Sequence, residues 1–314
     1  MTDAPSVTIV IVNYRTPRLT IDCTESLLLS VGVQPRIIII DNDSRDDSVA
    51  QIGAHFRQHP DVTLHARSVN DGYTGGNNSG VDLALEAGAR FAFVLNSDTI
   101  VAPECLRMLI DEMESDPSIA LVHPRIFFGD APELLWFGGS TFSLWNGLPA
   151  FVGHRRSASE GWTTRRDLPF ASGCALLVRL DAFERPLFDP ALFAYAEDLD
   201  LSLHMRKRGW RIRYVPEALV WHYEGSSHRS AGGQALRFYL DTRNIIRVVS
   251  RHARWFHWPV LAPMLAVNVV GRYCFVNLRD GDYVTMRAVL RGAWHAIVGG
   301  RHAVEGNVAD DTRR

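Results

Sequence analysis

The chain contains an apolar run of strand length, Phe91-Ala92-Phe93-Val94-Leu95, that stops at the polar tripeptide Asn96-Ser97-Asp98. Bounded by Gly88 before it and Pro103 after it, the run has the length and Phe/Val content of a strand buried on both faces of a parallel sheet. Ligands of open α/β sheets bind beyond the carboxyl ends of the strands, so Asn96 and Asp98 are expected where a substrate sits.

Two β-branched runs precede it. Val7 to Val12 ends at Asn13-Tyr14, and Arg36 to Ile40 ends at Asp41-Asn42-Asp43-Ser44. Both read as buried strands with polar carboxyl-terminal edges. Pro17 opens a helix between them that closes near Gly32, and Ser44 is expected to cap a second helix running to about His59. A short strand from Val62 to Ala66, a glycine-rich loop from Asn70 to Gly80 and a helix to about Ala87 lead into the central strand. This alternation predicts a doubly wound α/β fold with a mostly parallel sheet in the first half. A helix over 103–115 and a strand from Ile119 to Val122 continue the pattern. From Gly129 to Asp167 the periodicity fades, which predicts irregular strands and a loop beside the substrate. Order returns with a strand from Phe170 to Val178 and a helix from Glu197 to Arg208, then short extended pieces on either side of Pro216.

The net charge of -2 over 314 residues carries no sign of a nucleic-acid binder, whose footprint is a strongly basic domain. Cys23, Cys105, Cys174 and Cys274 lie far apart, without metal-binding or disulfide-framework spacing, and read as thiols in a reducing compartment. Met1 to Pro5 shows no basic segment followed by an apolar core, so the expected location is cytoplasmic. The tail from Gln234 onward reads as two or three helices. Nine arginines and two acids fall between Arg243 and Arg301, a local basic bias hidden in the neutral whole. The apolar stretch from Trp258 to Leu278 approaches spanning length but is interrupted by Pro259, Pro263, Asn268 and Arg272. It is expected to form a helix that is bundled or lies at a membrane interface, on the inner face of the cell membrane.

Several pieces occur in a fixed order: Val12-Asn13-Tyr14-Arg15-Thr16, Asp41-Asn42-Asp43-Ser44, the loop Asn70 to Gly80, Leu95-Asn96-Ser97-Asp98, and Phe193-Ala194-Tyr195-Ala196-Glu197-Asp198-Leu199-Asp200-Leu201. The ordered set resembles the rhamnosyltransferase-like branch of the family 2 glycosyltransferases. The resemblance implies a GT-A fold, Rossmann-like with a mostly parallel central sheet and flanking helices, plus a C-terminal helical appendage. It places the GT-A domain over 1–232, with a nucleotide-sugar half to about 128 and an acceptor half over 129–232, and the helical region over 233–314.

By the same resemblance Asp41 recognises the base, flanked by Asn13 and by Tyr14, whose ring offers a stacking face. The alternative for Asp41 and Ser44 is simple capping of the next helix. Asn70, Gly72, Tyr73, Gly76, Asn77 and Asn96 are placed against the nucleotide-sugar. The loop's glycine spacing and its position after the third strand argue against a dinucleotide fingerprint. Asp98 is a hard oxygen ligand for Mn2+ or Mg2+, and His222 lies where related enzymes place a metal-binding histidine. Asn96 stands where the family's metal motif has an acid. Asp198 is assigned the general base, with Glu197 and Asp200 positioning it or binding acceptor hydroxyls. First-turn acids complementing a helix dipole are the alternative there.

The implied activity is an inverting, metal-dependent transfer from a dTDP- or UDP-linked sugar, best matched by dTDP-rhamnose, to a cell-surface glycan or polyprenyl-linked acceptor. The alternatives are a UDP-sugar-dependent hexosyl or N-acetylhexosaminyl transferase, and a catalytically silent sugar-nucleotide or glycan-binding module. Self-association is left open. Arg251-His252-Ala253-Arg254-Trp255 also fits a short element of processive synthases.

Overall fold

The computed structural model describes residues 7–224 and 233–298. The expected domain boundary at 232, the N-terminal Met1 to Pro5 and the tail beyond 298 lie outside them. The elements in chain order are β1 (Val7–Asn13), α1 (Pro17–Leu28), β2 (Arg36–Asp41), α2 (Ser48–His55), β3 (Val62–Ala66), α3 (Gly72–Glu86) and β4 (Phe91–Asn96). Next come β5 (Thr99–Val101), α4 (Cys105–Ser115), β6 (Ile119–Phe128), β7 (Leu135–Phe137), β8 (Ser140–Thr141), β9 (Ala150–Phe151), β10 (Arg166–Asp167) and β11 (Ala175–Arg179). The chain continues with α5 (Glu197–Lys207), β12 (Arg211–His222), α6 (Gly233–His252), α7 (Trp258–Leu265), a π-helical turn (Ala266–Gly271), α8 (Arg272–Arg279) and α9 (Tyr283–Val298).

The main sheet has the order β10-β12-β6-β11-β4-β1-β2-β3, with β5 on β12 and β7 on β6. β4, β1, β2 and β3 are parallel neighbours, as the apolar runs predict. β1 lies between β2 and β4, so the crossovers diverge at its carboxyl end and open a crevice there. β11 runs antiparallel between β4 and β6, a reversal that the sequence pattern does not reveal. The two extended pieces around Pro216 form one strand, β12, which stays parallel to β6 across a register shift between Val215 and Leu219.

Two local expectations are corrected. Ser44 caps no helix: α2 begins at Ser48, and the Ser44 hydroxyl donates to the Asp41 carboxylate instead. The segment from Gly72 to Gly80 is not a loop but the first turns of α3. Two of its glycines serve packing of helix on sheet: a Cβ on Gly76 would lie 2.8 Å from Val12 Cγ1, and one on Gly80 would overlap Val10 Cγ1. Gly72 has a φ of 75° and lies against Phe193, and Gly75 lies against Asp71, so the four glycines in the first nine residues of α3 answer to three different neighbours.

α6 shares a second hydrophobic core with α5, in which Ile245, Val248 and Val249 meet Leu199, Leu203 and Phe170. The helix also makes polar contacts with the segment that leads into α5. Arg243 and Asn244 are 1% and 0% exposed. The Asn244 side-chain amide lies 2.8, 2.7 and 3.0 Å from the carbonyl oxygens of Leu192, Ala194 and Tyr195. Arg243 donates to the carbonyls of Ala191 and Leu192, and its Nε donates to Asn244 Oδ1. The segment needs holding, because Phe193, Tyr195 and Ala196 all have φ between 63° and 70°. Such conformations cost a non-glycine residue on the order of 1–3 kcal/mol each.

Pro259, Pro263 and Asn268 do not break the tail. Trp255–Arg279 is helical throughout, largely exposed, and long and apolar enough to cross a membrane by length and composition. Pro259 sits in the first turn of α7, where its missing N–H is no loss.

Two stability changes are expected. Gly80→Ala loses more to overlap with Val10, about 1–3 kcal/mol, than the roughly 1 kcal/mol that alanine gains in helix propensity. Urea denaturation with an unchanged or higher midpoint would contradict the close packing of α3 on β1. Asn244→Ala strips buried carbonyls of their donor and should cost about 2–3 kcal/mol by the same measurement.

Candidate active site

The crevice at the carboxyl ends of β1, β2 and β4 opens into a cavity of about 1130 Å³, closed by α5, α6 and the irregular segment after β6. Small-molecule sites commonly span about 300–1,000 Å³, so this one has room for a donor and an acceptor together. Of the residues singled out from the sequence, Tyr14, Asn70, Gly72, Tyr73, Asn96, Asp98, Glu197, Asp198 and His222 line it. Asn13, Asp41, Gly76, Asn77 and Asp200 lie behind its walls.

Asp41 is 2% exposed and held by three internal hydrogen bonds. Its Oδ2 accepts from Asn13 Nδ2 at 2.7 Å and from Ser44 Oγ at 2.6 Å, while Oδ1 accepts from the Ser44 N–H. Ser44 Oγ in turn accepts from the Arg15 N–H. This knot fixes the turn that presents Tyr14 and Arg15 to the cavity, with the Arg15 guanidinium 5.1 Å from the Tyr14 ring centre. Asn42, which follows Asp41, is the residue that reaches the cavity; it donates to Asn70 Oδ1 and to the Gly72 carbonyl.

Asp98 and His222 come together from the end of β4 and the end of β12, with His222 Nε2 3.1 Å from Asp98 Oδ1. Both are buried. Burial opposes a charge on His222, but Cys174 and the adjacent Asp98 outweigh it and move its pKa well above the ordinary value. The other ring nitrogen, Nδ1, is buried and makes no well-formed hydrogen bond among the described residues, with Cys174 the polar group beside the ring. A carboxylate and an imidazole beside an open cavity fit a divalent cation such as Mn2+, which would take the place of the imidazole proton. Among the described residues no three His, Cys, Asp or Glu side chains converge as a complete metal site. An ion here would therefore complete its shell with ligand or water oxygens.

Glu197 and Asp198 open α5 at the cavity wall. Burial, and then the neighbouring Asp198, push the Glu197 carboxyl up to about 8. Its Oε2 has no hydrogen-bond partner among the described residues. Burial raises Asp198 too, but its carboxylate accepts from the Gly173 N–H at 2.9 Å and the Leu199 N–H at 2.7 Å, which favour the charged form. Adjacent acids held in such different environments can divide the roles of proton holder and proton acceptor. Asp200 turns the other way: it pairs with His252 at 3.0 Å and Arg251 at 3.1 Å, tying α5 to the end of α6.

The sequence reading passed over the wall that α6 contributes. Arg237, Asp241 and Ile245 line the cavity at helical i, i+4, i+8 spacing, and that stripe was the available signal. Trp136, Phe151 and His154 line it from the irregular segment, where a loop beside the substrate was expected.

A family model described as glycosyltransferase like family 2 matches residues 4–255. The chain is 27% identical over 262 residues to an N-acetylglucosaminyl-diphospho-decaprenol L-rhamnosyltransferase of Mycobacterium tuberculosis, covering 75% of this chain and 81% of that protein. It is 38% identical over 74 residues to the rhamnosyltransferase WbbL of Escherichia coli, covering 23% and 28%. Among solved structures it is similar to GalNAc-T7 with UDP, GalNAc and Mn2+, at TM-score 0.63 and 16% identity, covering 90% of this chain and 55% of that one. The mannosyltransferase PcManGT of Pyrobaculum calidifontis, in complex with GDP-Man and Mn2+, matches at TM-score 0.56 and 13% identity, covering 99% and 79%. The chain belongs to the glycosyltransferase-like family 2 and is an enzyme of the GT-A fold.

Proposed function

We propose that this glycosyltransferase moves rhamnose from dTDP-rhamnose, with inversion, to a cell-surface glycan acceptor carried on a lipid, and that it requires a divalent metal. The observation that carries the reading is the convergence, in one cavity, of the Asp98–His222 pair and the Glu197–Asp198 pair. The similarity to a rhamnosyltransferase acting on a diphospho-decaprenol acceptor supports the sugar and the acceptor class.

In this reading Asp198 is the base. An inverting transfer is a single displacement in which an acceptor hydroxyl loses its proton as the diphosphate departs. The two backbone N–H groups on Asp198 favour its charged form against the burial that raises its pKa. Glu197 holds its proton at neutral pH, so its neighbour does not face a second full negative charge. Tyr14 stacks on the base, and Asn42 and Asn70 border the nucleotide. Asn13 and Asp41 act by fixing the turn that carries Tyr14, Gly76 and Asn77 by seating α3 against the sheet, and Asp200 by anchoring α5. Asp98 and His222 would hold Mn2+ or Mg2+, which when bound supplies positive charge to the diphosphate. The exposed apolar helix Trp255–Arg279, with the arginines of the tail, supports a peripheral seat on the cytoplasmic face of the membrane, beside a lipid-linked acceptor.

Two outcomes are expected. Asp198→Asn should bind dTDP like the parent and lose about 10²–10⁴-fold or more in turnover with saturating acceptor. Glu197→Gln, which imitates the protonated acid, should keep most activity at pH 7. It should also lack the change in rate that the parent shows near pH 8, where Glu197 ionises. A dead Glu197→Gln beside an active Asp198→Asn would transfer the base to Glu197. Calorimetric titration of dTDP should show affinity that falls with EDTA and with Asp98→Ala; equal affinity in all three conditions would remove the metal from the mechanism.

A further inference from the structure

The α6 wall of the cavity has a chemistry unlike the rest. Asp98, Glu197, Asp198, Glu224 and Asp241 make the cavity acidic, yet Arg237 also lines it, exposed, and forms no ion pair among the described residues. The other cavity arginine, Arg15, already donates through Nε to the Ser44 carbonyl at 2.9 Å. Among the described residues Arg237 makes no hydrogen bond, though its charge acts on Asp241 one turn along, and a guanidinium so placed is a fork that fits phosphate oxygens. The donor's diphosphate has its own place, at the end of β4 with Asp98 and His222, so Arg237 on α6 points to a second anionic group.

One turn further along α6, Asp241 lines the same wall and accepts from the Tyr273 hydroxyl at 2.7 Å through Oδ2. That single bond leaves acceptor capacity on the carboxylate, facing the space that the Glu197–Asp198 pair also faces. Tyr273 lies on α8, within the apolar helix Trp255–Arg279. On that helix Phe275 is 67% and Leu278 50% exposed. The polar wall of the cavity is therefore hydrogen-bonded directly to the element with a lipid-compatible surface.

We infer that α6 and α8 form the acceptor subsite: Arg237 binds the phosphate of a lipid-diphosphate-linked acceptor, Asp241 receives a hydroxyl of its sugar, and the prenyl chain leaves along α8. This rests on the transferase reading above and adds to it the residues that select the acceptor. An acceptor lacking a phosphate loses the Arg237 contact, and one lacking the lipid loses the surface of α8.

The test uses the full chain and farnesyl diphosphate as probe, titrated calorimetrically in the presence and absence of saturating dTDP and Mn2+, with farnesol as the phosphate-free control. Farnesyl diphosphate should bind alongside dTDP, and farnesol should bind more weakly. Arg237→Ala should weaken farnesyl diphosphate by about 10–100-fold, the loss of a charged hydrogen-bonding partner, and leave dTDP binding unchanged. Arg237→Lys should recover part of the affinity. Asp241→Asn should bind farnesyl diphosphate at least as well as the parent, because a negative charge near the phosphate is gone. Parent-like affinity in Arg237→Ala, or displacement of dTDP by farnesyl diphosphate, overturns the subsite. Failure of dTDP to bind the parent chain would count against the donor reading instead, and the titration without nucleotide would still decide the role of Arg237.

Discussion

The Asn244 amide, caught among three backbone carbonyls, is the contact on which the site's geometry depends. The segment it holds enters α5 through three left-handed residues, a path that a chain of non-glycine residues does not choose unaided. α6 offsets that cost with buried hydrogen bonds. The second tie, between Asp200 and the Arg251-His252 pair, secures the same helix from its other face. The entrance to α5 is thus fixed by residues some fifty positions away in sequence, and the helix that fixes it also lines the cavity with Arg237 and Asp241. Whatever displaces α6 must displace Glu197 and Asp198 with it.

Much of this architecture was legible in the chain. Continuous apolar runs ending in polar residues marked β1, β2 and β4, and the cavity lies at their carboxyl ends, where the crossovers diverge. The pairing of Asp98 with His222, 124 residues apart, was legible only through the ordered set of motifs, since no local pattern relates the end of β4 to the end of β12. Family membership and fold follow from that same order.

What was not legible has physical reasons. Glycines at Gly72, Gly75, Gly76 and Gly80 look like a ligand loop because intrinsic propensity disfavours them in helices, and at Gly76 and Gly80 the close approach of α3 to β1 overrides propensity. Asp41, which the resemblance assigns to the base, is held by three internal donors, and its neighbour Asn42 is the one that lines the cavity. Asp200 shares a motif with Asp198, yet helical periodicity turns residues two apart toward different sides. Prolines in the tail read as interruptions; Pro259 occupies a first turn, and the chain stays helical past Pro263.

The reversed strand β11 changes the backbone polarity of the site floor. In a strand the N–H and C=O groups point sideways to the neighbouring strands, so the turn at a strand's end is what offers free backbone groups to a cavity. β11 begins at that edge rather than ending there, and Gly173, just before it, lines the cavity and gives its main-chain N–H to Asp198. A single inverted strand thereby places a backbone donor among acids, where it favours the charged form of Asp198.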